Sequence, residues 1–357
     1  MKRNRIIVDA MGGDKAPEEI LKGAVLAAKE SPDLQLILVG DQEQIKPILK
    51  KLDISKLSFE IIHTPEFIKM DDSPKDGLES KPNASISIAC QKLAAGEADA
   101  LVSAGNTGGT VLSCARHLKR IAGVERGALA AIFPAVKHQP NDPGRTIMLD
   151  VGATLHCTPL QLVQFALMGH HYAKAVLEVE QPRVALLNIG EEENKGHEGL
   201  VETHSLLKNI PTIRFIGNVE GKDVLRGVAD VIVSEGLVGN IVLKALEGAA
   251  ELGISAGKKL WKKSLVAKLS LGLLAPKLMK VKKRLDYSEY GGAPILGFDH
   301  LVIKAHGRSN ARAIKNAILL AEQSLKYKLV ETIRADVEKY QQQLFSEYER
   351  EAVSKLY

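Results

Sequence analysis

The chain has 357 residues, of which 45% are hydrophobic and 25% are charged, and its formal net charge is +5 at pH 7. This composition is typical of a globular protein that buries a large core. Cys90, Cys114 and Cys157 stand far apart without a CxxC motif, which excludes a zinc cage and a disulfide framework and predicts buried thiols in a reducing cytoplasm. No apolar stretch is long enough for a signal peptide or a membrane span.

The positive charge is concentrated in one segment. Ten lysines and arginines and no acidic residue lie between residues 252 and 285, so removing them from the net +5 leaves the rest of the chain at −5. This distribution argues against a nucleic-acid-binding surface and favours a local contact with an anionic partner.

Short β-branched runs followed by helix-compatible stretches recur along the chain. Continuous apolar strands alternating with helices predict a mostly parallel sheet covered on both faces, with ligands bound at the carboxyl ends of its strands. Glycines there allow close approach of a ligand, and the N-H groups that open the next helix favour an anion. The eight runs cover residues 5–14, 34–41, 98–109, 146–153, 183–196, 212–221, 229–240 and 300–309.

One of these strand-and-loop units is almost repeated. "GEADALVSAGNTGGTVL", residues 96–112, and "GVADVIVSEGLVGNIVL", residues 227–243, share nine residues at matching places. Two readings remain open: the repeat places two anion-binding helix starts in one cleft, or it reflects two packing units of an old duplication.

Common catalytic motifs are missing from the sequence. There is no GxxxxGK[ST], no GxGxxG after the first strand and no HExxH. Adjacent helical residues point about 100 degrees apart, so His170 and His171 are expected to be structural rather than metal ligands. Lys195 follows a strand beside Gly190 and is either a solvated lysine or an anion ligand, and Asn240 is either a helix N-cap or a functional side chain.

Eight motifs in order along the chain resemble those of one family, the bacterial phosphate acyltransferases of phospholipid synthesis (the PlsX family). The motifs are "VDAMGGDKAP" (8–17), "KPNAS" (81–85), "SAGNTG" (103–108), "LLNIGEEENKGHE" (186–198), "FIGNVEG" (215–221), "GNIVLKALEG" (239–248), "YSEYGGAPILG" (287–297) and "IKAHGRSN" (303–310).

The resemblance implies a three-layer α/β/α sandwich like that of phosphotransacetylases and isocitrate dehydrogenases, assembled as a homodimer. It implies no metal and no cofactor, and it assigns catalysis to Lys195 and Asn240. The other matching polar and glycine positions are expected to bind substrate or phosphate: Asp9, Gly12, Gly13, Asp14, Lys81, Asn83, Ser85, Asn106, Thr107, Gly108, Gly190, Gly239 and His306. Thr154, His156, Leu160 and Glu235 depart from the family pattern.

The reaction implied is transfer of a long-chain acyl group from acyl-acyl-carrier protein to inorganic phosphate. Phosphate is already a nucleophilic anion, so positioning and electrostatics should dominate. Lys195 would neutralise phosphate charge, and Asn240 would donate a hydrogen bond to the developing oxyanion. Two rivals are a phosphotransacetylase that uses coenzyme A thioesters and a non-catalytic phosphate-binding scaffold at the membrane.

The domain prediction is one catalytic domain over 1–335, with a basic amphipathic helical hairpin over 251–286, and a helical tail over 336–357. The hairpin could serve a dimer interface, a carrier-protein site or an anionic membrane surface. Membrane contact by a cytoplasmic, peripherally attached protein is the preferred interpretation. The contacting residues would be Trp261, Leu265, Leu269, Leu271, Leu273, Leu274 and Leu278.

Overall fold

The computed structural model describes residues 4–55, 57–139, 141–263 and 291–354. The first part of the chain alternates strands and helices in this order: β1 Arg5–Asp9, α1 Glu18–Glu30, β2 Gln35–Gly40, α2 Gln42–Lys51, β3 Phe59–His63, α3 Pro74–Ser80, α4 Ser85–Ala94, β4 Ala100–Ser103, α5 Thr107–His117 and β5 Ala128–Leu129.

The second part continues the alternation. It contains β6 Ala131–Pro134, β7 Arg145–Leu149, α6 Pro159–Leu177, β8 Arg183–Leu187, α7 Glu198–Lys208, β9 Arg214–Val219, a 3-10 turn Gly221–Asp223, β10 Val231–Val233, α8 Gly236–Lys263, β11 Ala293–Leu296, β12 Leu301–Lys304, α9 Ala311–Lys326 and α10 Leu329–Ser354.

The strands form two sheets rather than the single sheet that the sequence pattern predicted. The order is β3-β2-β1-β4-β12-β11-β5 in a seven-stranded sheet and β6-β7-β10-β8-β9 in a five-stranded sheet. Among the described strands, the antiparallel pairs are β11–β12, β11–β5 and β6–β7, and the other pairs are parallel. The sheets adjoin where Val151 N-H donates to Leu129 O at 3.1 Å. The apolar pattern predicts strands well but does not specify which strands pair.

All eight predicted runs contain a strand, and their apolar residues form the core. Ile6, Ile7, Val8 and Leu101 are fully buried in the seven-stranded sheet, as is Val231 in the five-stranded sheet. Because both faces of these sheets are covered by helices, the strands read as continuous apolar runs rather than as alternating ones. The prediction of a mostly parallel, doubly covered architecture is confirmed.

The C-terminal helix α10 packs on the body of the protein through its first three turns. Ile333, Val337 and Tyr340 are buried, and their spacing places them on one face of the helix. Beside this apolar face, Asp336 Oδ2 lies 3.0 Å from His171 Nε2 of α6. The predicted boundary between residues 335 and 336 falls inside this continuous helix.

The predicted structural roles of two other groups are also confirmed. Cys90 and Cys114 are buried free thiols, with their sulfur atoms 4.0 Å apart between α4 and α5, whereas Cys157 is a free thiol that is only partly buried. His170 and His171 are buried on α6, where burial lowers the pKa of His170 to about 4. Neutral histidine at this position is consistent with a packing role.

Candidate active site

Lys195 and Asn240 follow two neighbouring strands of the five-stranded sheet. Lys195 lies in the loop after β8, and Asn240 lies in the helix that follows β10. Strands β8 and β10 are paired in parallel, so their carboxyl ends open on the same edge of the sheet. The topology therefore brings the two predicted catalytic residues to one edge.

The loop that carries Lys195 is fixed by asparagine side chains. Asn188 Nδ2 donates to Lys195 O at 2.9 Å, and Asn218 Nδ2 donates to Glu192 O at 2.7 Å. The Lys195 side chain itself is exposed and forms no ion pair with any residue that the structure describes. Gly190 packs under its stem, because a methyl group built on Gly190 would lie 3.0 Å from Lys195 Cγ. The loop thus holds its backbone rigidly and leaves an ammonium group available to an anion.

Asn240 is not a helix cap. Helix α8 begins at Gly236, so Asn240 lies beyond its first turn, and its side chain is exposed. Its Cβ and Cγ lie against Gly152 of the loop after β7, 3.5 Å from where a methyl group on Gly152 would be. The interpretation of Asn240 as an N-cap is wrong, and its amide remains available for a ligand.

Asp150 organises the loop against which Asn240 packs. Its carboxylate is buried and accepts backbone N-H groups of Leu129, Gly152, Ala153 and Thr154 at 2.6 to 3.1 Å. Burial raises the pKa of Asp150, and the four hydrogen bonds oppose that rise. Sequence reasoning missed this residue, although a carboxylate that directly follows a buried strand in "TIMLDVGA" was a signal.

Helix α8 approaches the Asp150 loop through glycine. Gly236 N-H donates to Thr154 O at 3.0 Å. A methyl group on Gly239 would lie 3.2 Å from Val151 Cα and closer still to the Asp150 carbonyl group. The backbone of the helix therefore touches the backbone of the loop, which explains why the "GN" pair begins with glycine.

A second group of predicted residues gathers at the carboxyl edge of the seven-stranded sheet. Asp9, at the end of β1, is buried and accepts hydroxyl hydrogen bonds from Ser85 and Ser103, both at 2.7 Å. Burial raises the pKa of Asp9, and the serine hydroxyl groups oppose that rise. A methyl group on Gly12 would lie 2.6 Å from Gly105 N. Asp9 and Ser85 therefore hold loops together and are not directed to solvent.

Lys304 lies beneath this group, fully surrounded by protein. Its ammonium group donates to the Ala305 carbonyl and is attracted by Asp9 and Asp14. Burial lowers the pKa of Lys304 to about 8. Asp14 N-H donates to Gly307 O at 2.9 Å, and Gly13 next to it has a φ of +117°, which favours glycine. Sequence reasoning missed Lys304, although a lysine inside the apolar run "LVIKAHG" was a signal.

Other predicted binding residues are engaged by protein partners. Lys81 Nζ pairs with Asp72 Oδ2 at 2.6 Å. Asn106 is the N-cap of α5: its Oδ1 accepts Gly109 N-H at 3.0 Å, and its Nδ2 donates to Met70 O and Asp72 O. Asn83 and Thr107 are exposed, and a methyl group on Gly108 would meet the ring of Pro74.

Helix α8 runs from one group of residues to the other. It begins beside Asp150, and two turns beyond Asn240 its Glu247 Oε1 lies 3.8 Å from His306 Nε2, in the loop after β12. Burial lowers the pKa of His306. The two near-identical loops therefore lead into helices α5 and α8 from strands β4 and β10, which belong to different sheets. The body of α8 runs from the edge of one sheet to the edge of the other.

The predicted membrane-contacting residues lie mostly outside the described residues. Leu265, Leu269, Leu271, Leu273, Leu274 and Leu278 fall there, whereas Trp261 is on α8 with 46% of its surface exposed. Within the described ranges, no helix has the length and apolar character needed to cross a bilayer. The same ranges contain no cluster of three histidine, cysteine or acidic side chains suited to a metal ion.

Comparison with known proteins decides the family. A family model described as a fatty acid synthesis protein matches residues 4–331. A protein of Dictyoglomus thermophilum named phosphate acyltransferase is 46% identical over 325 residues, which cover 91% of this chain and 95% of the relative. The chain belongs to this family of enzymes. A phosphate acyltransferase of Pelotomaculum thermopropionicum is 45% identical over 334 residues, with 94% of this chain and 95% of the relative covered. The resemblance to the phosphate acyltransferase family is confirmed.

Two solved structures similar to this one are phosphotransacetylases. The enzyme from Streptococcus pyogenes aligns with a TM-score of 0.62 and 18% identity, covering 91% of this chain and 95% of that one. A phosphotransacetylase from Staphylococcus aureus aligns with a TM-score of 0.56 and 17% identity, covering 90% and 94%. These matches show a shared fold, so the prediction of a phosphotransacetylase-like α/β/α fold for this phosphate acyltransferase family member is confirmed.

Proposed function

We propose that this protein transfers a long-chain acyl group from acyl-acyl-carrier protein to inorganic phosphate and releases acyl-phosphate for phospholipid synthesis. The observation that carries the proposal is the near full-length similarity to proteins named phosphate acyltransferase. The proposal is supported by Lys195, an exposed lysine without an ion-pair partner among the described residues, because it follows β8, the neighbour of the strand β10 that precedes Asn240.

The chemistry uses positioning and charge rather than a covalent intermediate. A phosphate oxygen attacks the thioester carbonyl carbon, the carbon-sulfur bond breaks, and the proton of hydrogen phosphate ends on the thiol. Lys195 compensates the phosphate charge during the approach, and the Asn240 amide donates to the oxyanion. The thiolate leaves readily because a thiol has a pKa of about 8.5. No metal or cofactor takes part in the proposed reaction.

The test is phosphate-dependent release of thiol from a long-chain acyl-acyl-carrier protein. Lys195→Ala and Asn240→Ala should each lower kcat by about 100-fold or more, because each removes charge stabilisation at the reacting centre. Lys46→Ala, an exposed lysine on α2, and Asn209→Ala, an exposed asparagine after α7, are matched controls expected to keep native rates. A native protein that releases no thiol on addition of phosphate would refute the proposal.

The acyl donor is tested in the same assay. Matched acyl-carrier-protein and coenzyme A thioesters of one chain length should differ in kcat/KM, with the carrier-protein thioester favoured. Equal or higher kcat/KM with coenzyme A would instead support a phosphotransacetylase-like specificity. Either result identifies the preferred acyl donor and leaves the proposed acyl transfer to phosphate unaffected.

We propose further that the protein is a homodimer that uses α8. This helix exposes an apolar stripe at spacings of three, four and seven residues: Val238, Ile241, Ala245 and Leu252, with Ile241 60% and Leu252 72% exposed. An exposed stripe of this kind marks a protein interface. Ile241→Glu should convert the dimer to a monomer in sedimentation velocity, whereas a native protein that sediments as a monomer at micromolar concentration would refute the assembly.

Peripheral membrane contact through the basic segment is a separate proposal. Trp261, the one tryptophan in the chain, lies on the exposed part of α8 that enters this segment. Its fluorescence should shift to the blue with vesicles rich in anionic lipid and stay unchanged with zwitterionic vesicles, because anionic lipid attracts basic residues. An unchanged spectrum together with no co-sedimentation would refute the contact.

A further inference from the structure

Glu235 connects three loops of the candidate site. Its Oε1 accepts the backbone N-H of Cys157 at 3.2 Å, and its Oε2 lies 3.4 Å from His197 Nε2. Cys157 belongs to the loop after β7, His197 to the loop after β8, and Glu235 itself follows β10. One carboxylate therefore joins the carboxyl ends of three neighbouring strands.

The two members of the Glu235–His197 pair are close in sequence to the two proposed catalytic residues. His197 follows Lys195 by two positions, and the Lys195 carbonyl is held by Asn188. Glu235 immediately precedes α8, which carries Asn240 one turn further on. Because both connections are short and hydrogen-bonded, the distance across the pair influences the distance between the Lys195 and Asn240 side chains.

The environment of the pair favours a stable contact. The Glu235 side chain is 16% exposed, whereas that of His197 is 54% exposed. A negative charge at the start of α8 is favourable because the helix dipole is positive there. His197 is also the N-cap residue of α7, yet its side chain does not bond to that helix. The imidazole Nε2 thus faces Glu235, and the ring forms no capping hydrogen bond with its own helix.

The pair also affects the charge that an incoming anion meets. Phosphate bound between Lys195 and Asn240 would lie on the sheet edge that carries the Glu235 carboxylate. An uncompensated carboxylate there would repel phosphate, and an imidazole donor reduces this repulsion. Loss of the pair should therefore weaken phosphate use more than thioester use.

We propose that Glu235 and His197 are positioning residues that hold the Lys195 loop against the start of α8 and so set the phosphate site. The inference rests on the proposed function and adds two residues to its site. Neither residue transfers a proton or touches the reacting atoms in this role. They act through Lys195 and Asn240.

The test is a double-mutant cycle with kinetics and hydrogen exchange. His197→Ala and Glu235→Ala should each lower kcat/KM for phosphate about 10-fold to 100-fold, the range expected for a displacement of about 1 Å, while KM for the acyl thioester stays near native. The double variant should lose no more than the worse single variant. His197→Gln, whose amide can still donate to Glu235, should recover part of the loss.

A histidine-carboxylate pair in the other sheet supplies the control. His63 Nδ1 lies 4.0 Å from Asp41 Oδ1 at the end of β3, so His63→Ala should leave the kinetics unchanged. Amide exchange over residues 188–197 and 234–240 should rise in His197→Ala and not in His63→Ala.

The outcomes of the two proposals are distinguishable. Native kcat/KM for phosphate in His197→Ala, or additive losses in the double variant, would overturn the positioning role while leaving the acyl transfer intact. Absence of turnover by the native protein would overturn the proposed function, and the exchange experiment would then still decide whether the pair holds the two segments together.

Discussion

Replacing Gly239 by alanine tests whether the start of α8 must touch the Asp150 loop. A methyl carbon built on Gly239 would overlap the Asp150 carbonyl oxygen and would lie 3.0 Å from the Asp150 carbonyl carbon and 3.2 Å from Val151 Cα. All three are backbone atoms, so no side-chain rotation relieves the overlap. The helix start or the loop must instead move by about 1 Å, because atoms in a packed interior cannot interpenetrate.

The size of the effect follows from this displacement. Overpacking of a tight contact costs about 1 to 3 kcal/mol of folding free energy. Since Asn240 is the next residue, the displacement should also lower phosphate-dependent thiol release by about 100-fold. Thermal unfolding followed by circular dichroism and the thiol-release assay measure the two effects on one preparation.

Gly253→Ala is the matched control on the same helix. A methyl group there meets nothing within 4 Å, and glycine inside a helix costs about 0.5 to 1 kcal/mol relative to alanine. This variant should therefore gain stability and keep native activity. If Gly239→Ala had native Tm and native kcat, the close approach of α8 to the Asp150 loop would be refuted.

Three further predictions concern buried charges. Asp150→Asn places an amide N-H₂ against backbone N-H groups, so it should cost about 1 to 3 kcal/mol in urea unfolding and most of the activity; unchanged stability would contradict the hydrogen bonding of Asp150. Burial lowers the pKa of Lys304 to about 8, below that of an unfolded lysine, so its charge opposes folding at pH 7 and this cost fades as pH rises beyond 8. Lys304→Met should then be more stable than the native protein at pH 7 by about 1 to 3 kcal/mol and lose that gain towards pH 10; a less stable variant at pH 7 would refute the assignment. The hydrogen bond from His171 lowers the pKa of Asp336, so the carboxylate stabilises the docked α10 above the ordinary carboxyl pKa and ceases to do so as pH falls through the lowered value. Asp336→Asn should reduce Tm at pH 7 but not at about pH 2, and an equal deficit at both values would refute the stabilising role of the Asp336 carboxylate.

The sequence by itself determined eight of the twelve described strands, and it determined the family. Eight apolar runs were assigned correctly because a strand covered on both faces needs consecutive apolar residues, which is a local signal. The strand ends were also informative, since Lys195 and Asn240 each lie near the carboxyl end of one of these runs. The eight motifs, which together resemble the phosphate acyltransferases, fixed the relationship that similarity over residues 4–331 then confirmed.

Tertiary structure decided the partners of polar side chains. Asp9 meets Ser103 across 94 positions and Glu235 meets His197 across 38, and nothing in either local segment specifies these contacts. The lack of long-range information in a local segment also explains two errors. Asn240 was compatible with a helix cap until the start of α8 at Gly236 was known. One sheet was expected, whereas the structure has two. One copy of the repeated loop follows a strand of each sheet, and the sequence did not predict this. Strand order is set by long-range packing, whereas a sequence pattern indicates only which residues of a segment are buried.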